Sequence, residues 1–102
     1  MKIYIIGAVT GYDPDEVRDK FATSERRLKE MGLTPVNPVN IVPEGLNWVA
    51  AMKICIAALI ECDAVFLLPD WERSKGAMLE VMIARNLEIK ELKEVILKSS
   101  FK

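Results

Sequence analysis

Apolar residues fall along this chain in two patterns, short unbroken runs and longer stripes at helical spacing. Ile3 to Ile6 and Ala64 to Leu68 are unbroken runs. Such runs predict strands buried on both faces, as in a parallel sheet. The stripe Val17, Phe21, Leu28, Met31 predicts a first helix. Its start is marked by Asp13 as cap, Pro14 at the first helical position and Asp15 and Glu16 in the first turn, and Gly32 closes it. Thr34 to Asn37 is a short second strand ending at Pro38, and Pro38 to Gly45, with two prolines and a glycine, reads as an irregular loop.

Asn47 caps a second predicted helix from Trp48 to about Ile60. Its face of Val49, Met52, Ile56, Leu59 and Ile60 is apolar, and so is much of the remainder. A helix apolar nearly all round packs on two partners, here the sheet and a second subunit. A third helix runs from Lys75 to about Leu87. The stretch Glu88 to Lys98 fits either a fourth strand around Ile89 with a terminal helix from about Glu91, or one continuous helix; the first is preferred. Strands alternating with helices predict an α/β fold, a three-layer flavodoxin- or Rossmann-like sandwich on a small parallel sheet of four to five strands. Residues 1–102 are expected to form a single domain.

Composition narrows the function classes. With 51% hydrophobic and 28% charged residues the chain reads as an ordinary globular protein. A net charge of −1, spread without blocks, leaves no basic stripe for a nucleic acid polymer. No apolar run is long enough to span a membrane, and the start is too short and strand-like for a signal peptide. Cys55 and Cys62 are expected two turns apart on one helix, too far for a disulfide, as reduced thiols of a cytoplasmic protein. The chain has no histidine, which excludes a zinc site and a histidine general base; no cofactor or metal is expected.

The candidate chemistry lies in two turns that a parallel sheet brings to one edge. In the first, Gly7-Ala8-Val9-Thr10-Gly11, the small residues let backbone approach a ligand, or simply make a tight turn. The second, Asp70 to Gly76, opens the third helix. Ser74 there is a helix cap whose geometry also suits an anion, and Gly76 costs about 1 kcal/mol of helix propensity relative to Ala. Glu80 is the sole charge between Gly76 and Ala84, flanked on its face by Ala77, Val81 and Ala84. A carboxylate so placed is hydrogen-bonded, paired or protonated. It reads either as a salt bridge to Arg85 or a lysine, or as a catalytic group at a cleft mouth. Tyr4 is either core or the hydroxyl that orients Glu80. Asp63 reads as a turn residue, and Trp48 and Trp71 as core, interface or a stacking surface.

These residues resemble those of the nucleoside 2-deoxyribosyltransferase-like proteins, including a small bacterial and phage branch, and of the related deoxynucleoside 5′-monophosphate N-glycosidases. The resemblance covers roughly residues 2 to 88. It rests on Lys2-Ile3-Tyr4-Ile5-Ile6-Gly7, Val36-Asn37-Pro38, Cys62-Asp63-Ala64-Val65 and, most specifically, Leu68-Pro69-Asp70-Trp71 through Ser74-x-Gly76-Ala77-x-x-Glu80. It implies cleavage of the N-glycosidic bond of a nucleoside or nucleoside 5′-monophosphate. Glu80 would be the nucleophile and Tyr4 its partner. Gly7, Ala8, Thr10, Gly11, Cys55, Ser74 and Gly76 would bind substrate. Ser74 stands where monophosphate-preferring members place a serine, Cys55 where the family has an aspartate, and Ala8 where Pro or Ser is usual. A homo-oligomer, dimer or higher, assembled through helix 48–60, is also implied. The alternative is a nucleotide-binding or sensing module of the same fold, without turnover.

Overall fold

A computed structural model describes residues 1–94 of the chain. Four strands form one parallel sheet in the order β2-β1-β3-β4. They are β1 Lys2–Ile6, β2 Thr34–Val36, β3 Ala64–Leu67 and β4 Lys90–Lys93, and the helices are α1 Pro14–Glu30, α2 Pro38–Ile41, α3 Trp48–Leu59 and α4 Lys75–Asn86. The central pair is β1 and β3, in the register Ile3 with Ala64 through Ile6 with Leu67. Both are almost wholly buried, so neither needs the polar alternation of a half-exposed strand.

The sheet is covered on both faces. Ile3, Ile5, Ala64, Phe66 and Leu68 pack with Val17, Phe21 and Leu28 of α1. Tyr4, Ile6, Val65 and Leu67 point the other way, into Cys55 and Leu59 of α3 and Ala77, Val81 and Ala84 of α4. This is the three-layer α/β sandwich expected.

Four local expectations need correction. Pro38–Ile41 is a short helix, not irregular loop, because Asn37 caps it through its side chain and Pro38 presets the first turn. The stripe of α1 closes with Ser24 between Phe21 and Leu28, whereas Met31 is the C-cap and is exposed. Cys62 lies past the end of α3, and Val49 and Ile60 of the expected apolar face are exposed while Cys55 is buried. Finally, Glu91 to Lys93, expected to start a helix, are strand β4 paired with Val65 to Leu67. Glu88, at φ 58°, turns the chain out of α4 and lets it return alongside β3. The rest of that expected terminal helix lies outside the described residues.

Candidate functional site

Because all four strands are parallel, the segments that follow β1 and β3 leave the same edge of the sheet. Beyond that edge is a cleft of about 480 Å³. The first segment contributes Gly7, Val9, Thr10 and Tyr12, and the second contributes Ser74, Gly76, Ala77 and Glu80. Trp48, Met52 and Cys55 of α3 close the far wall.

At its floor the Tyr4 hydroxyl donates to the Glu80 carboxylate, Oη to Oε2 2.8 Å. Tyr4 is fully buried and Glu80 is 6% exposed, yet Glu80 lines the cleft. Arg85, the alternative partner, is turned away: its Nε binds Glu91 Oε2 at 2.6 Å and its guanidinium lies over Trp71. Among the described residues Glu80 therefore has a hydroxyl partner instead of a counter-charge. Burial pushes its carboxyl up to about 7, against the opposing effect of the Tyr4 hydrogen bond. The Tyr4 phenol is raised far above its ordinary value, by burial and then by the neighbouring Glu80 charge, so it stays a donor. Burial also raises the Cys55 thiol, and Glu80 adds to the rise while Tyr4 opposes it.

Ser74 caps α4, its Oγ accepting from the Ala77 amide at 3.2 Å. A second hollow of about 420 Å³ shares Thr10, Trp48, Ser74 and Gly76 with the cleft and adds Arg73 and Lys75. The first turn of α4 holds no acidic residue, and Lys75 Nζ sits 4.5 Å from the Trp48 ring. Gly76 gives room to α3: a Cβ there would meet Met52 Sδ at 3.1 Å. Gly7 likewise serves packing, since a Cβ would meet Leu68 Cδ1 at 2.6 Å.

Gly7, Thr10, Cys55, Ser74, Gly76 and Glu80 thus meet at one cleft, with Tyr4 directly behind Glu80. Ala8 and Gly11 do not line it: Ala8 is fully buried and Gly11 exposed at φ 90°. Asp63 does not line the cleft; its carboxylate accepts from the Lys2 backbone N–H at 2.9 Å and ties the segment before β3 to the start of β1. Sequence reasoning missed Arg18, Asn40 and Glu44, which also line the cleft. Arg18 looks like any solvent-facing charge of α1, and Asn40 belongs to the unforeseen helix α2. Among the described residues no His, Cys, Asp or Glu cluster is arranged to hold a metal ion, and no helix is long and apolar enough to cross a membrane.

The parallel sheet is covered on both sides and its cleft lies beyond the strands' carboxyl ends, the place where open α/β sheets bind ligands. Residues 1–92 match the family described as a domain of unknown function, DUF4406, and the chain belongs to that family. Its structure is similar to that of a 2-deoxyribosyltransferase from the psychrotolerant bacterium Bacillus psychrosaccharolyticus. The TM-score is 0.70 and the identity 17%, over 94% of this chain and 77% of that one. That enzyme is described as a biocatalyst for the synthesis of antiviral and antitumoral nucleosides. At this identity the likeness is one of fold. No curated protein matches the chain in sequence.

Proposed function

We propose that the protein cleaves the N-glycosidic bond of a 2′-deoxynucleoside or its 5′-monophosphate, with Glu80 as nucleophile. The observation that carries this reading is a buried carboxylate with no counter-charge among the described residues, oriented by the Tyr4 hydroxyl at 2.8 Å and facing a cleft. A Glu80 oxygen attacks the anomeric carbon, and the bond to the base nitrogen breaks with its electron pair going to the base. The departing base takes a proton from solvent water, and water or a second base then attacks the anomeric carbon of the Glu80 ester, freeing the sugar and returning the carboxylate. Attack needs the ionised carboxylate, so turnover rises with pH through about 7.

A 5′-phosphate is favoured by the N-terminus of α4, where Ser74 and Gly76 line a hollow together with Arg73 and Lys75. The exposed Val49 and Ile60 of α3 suit a second copy of the chain.

The test is release of free base from a panel of 2′-deoxynucleosides and their monophosphates, with and without an acceptor base. Wild type is expected to release base, and Glu80→Ala to lose at least about a thousandfold with its circular dichroism unchanged. Base release by Glu80→Ala at the wild-type rate would sink the mechanism. A second reading, a binding module without turnover, is favoured by one feature: the wall beside Glu80 presents the Cys55 thiol, held protonated by burial, instead of a carboxylic acid. Thermal stabilisation by a monophosphate with no base released would select it.

A further inference from the structure

The two walls of the cleft belong to segments far apart in sequence, and strand pairing does not join them at the cleft itself. The last backbone bond between them on the sheet is Leu68 N–H to Ile6 C=O, 2.9 Å. Ala8 comes two residues later, fully buried. A buried peptide group must find a partner, and both of Ala8's are met by side chains. Its N–H donates to Asp70 Oδ1 at 3.1 Å, and its C=O accepts from Lys20 Nζ at 2.8 Å. Lys20 and Asp70 close the triangle with an ion pair of 2.5 Å.

The same two residues reach further along each wall. The Lys20 ammonium lies 5.4 Å from the Tyr12 ring centroid, so the segment from Ala8 to Tyr12 wraps around it. The Asp70 C=O accepts from the Arg73 N–H at 3.0 Å and closes the single 3₁₀ turn Trp71–Arg73 that leads to Ser74. One wall therefore hangs on Lys20, the other on Asp70. Neither side chain lines the cleft, and at 27% and 21% exposure both are partly withdrawn from water. Pairs so placed are screened less than surface pairs.

We propose that Lys20 and Asp70 are positioning residues that set the spacing of Thr10 and Ser74 across the cleft, and so its grip on the substrate. This deepens the N-glycosidase reading and rests on it. Glu80 and Tyr4 are fixed independently, by α4 and β1, so loss of the pair leaves the attacking group in place and loosens the ligand.

The test uses thymidine 5′-monophosphate as probe, with Lys20→Met, Asp70→Asn, the double variant and Lys20→Arg. Each single change is expected to raise KM by about tenfold or more while kcat stays within about threefold. The double is expected to raise KM by less than the product of the two singles, because each single already removes the ion pair and only the separate bonds to Ala8 add. Lys20→Arg, which keeps the charge, is expected to hold KM within about threefold of wild type. The isosteric Asp70→Asn carries the test if Lys20→Met does not fold. An unchanged KM with a lowered denaturation midpoint would overturn the proposal and leave the pair a structural one. If wild type releases no base from any 2′-deoxynucleoside or monophosphate, the functional reading has failed, and amide hydrogen exchange then tests the pair alone. Faster exchange confined to residues 8–12 and 71–74 supports it; exchange unchanged there, or faster throughout, overturns it.

Discussion

The two faces of β1 hold opposite kinds of interior. Ile3 and Ile5 enter a cluster made of aliphatic side chains with Phe21 and Phe66, where every contact is dispersion and water exclusion. Tyr4 and Ile6 enter a cluster that also contains a thiol and borders a buried carboxylate. One face is built for stability. The other carries a group that burial opposes, which natural proteins tolerate mainly where function needs it. The difference also reaches the helices. The helix on the apolar face, α1, starts with Asp13, Asp15 and Glu16 and ends with Arg27 and Lys29, as the helix dipole favours. On the other face, α4 starts beside Arg73 and Lys75.

The comparison breaks most clearly at Phe21. This ring is fully buried, so Phe21→Ala is expected to cost about 3–5 kcal/mol. Urea denaturation should find that loss equal at pH 5 and pH 8, because nothing ionisable lies in that cluster. The Glu80 face should behave in the opposite way. Its carboxyl is raised from 4.5 to about 7 in the folded chain. Between those values the folded state holds a proton that the unfolded state has released. Stability contributed by the protonated form is therefore complete below about pH 4.5 and lost as pH rises through about 7, by about 3 kcal/mol in all. Glu80→Gln lacks that slope, so its advantage over wild type should grow from about pH 4.5 to about pH 7 and stay constant above. Activity runs the other way, rising where stability falls. A wild-type stability flat from pH 4.5 to 8 would mean Glu80 is not desolvated as described.

Most of the fold was legible because its signals are local. Unbroken runs marked β1 and β3, and Asp13-Pro14, Asn47 and Ser74 marked three helix starts within a residue. Glu80 stood out as a lone charge in an apolar helix, and Tyr4 as the one hydroxyl on a strand otherwise apolar from Ile3 to Ile6. Their pairing spans 76 residues, yet the strand-to-helix alternation brought them to one face. What escaped was of two kinds. A fourth strand is expected around Ile89, but its place at Lys90–Lys93 is not, because Lys-Glu-Leu-Lys has a helical composition and becomes strand through pairing with β3. The Lys20–Asp70 pair lies 50 residues apart, and Lys20 sits among other charges of α1 with no mark of its own. Gly7 and Gly76 were noticed, but the crowding that requires them comes from Leu68 and Met52, which tertiary structure alone brings near.

The smallest effect is the sharpest test of the two helix starts. Asp13 and Ser74 perform the same capping bond, to the Glu16 and Ala77 amides. As caps they are interchangeable, and an acidic cap also suits the helix dipole. Ser74→Asp is therefore expected to leave the unfolding midpoint unchanged or slightly raised, while Ser74→Ala lowers stability by about 1 kcal/mol. Affinity should separate from stability here. If the α4 start receives a phosphate, the added carboxylate repels it, and thymidine 5′-monophosphate should bind about tenfold or more weakly to Ser74→Asp with thymidine itself little affected. Isothermal titration of both ligands reads the difference. Equal binding of the monophosphate to wild type and Ser74→Asp would place the phosphate elsewhere, and the cations at Arg73 and Lys75 would then be no different in kind from the solvated charges of α1.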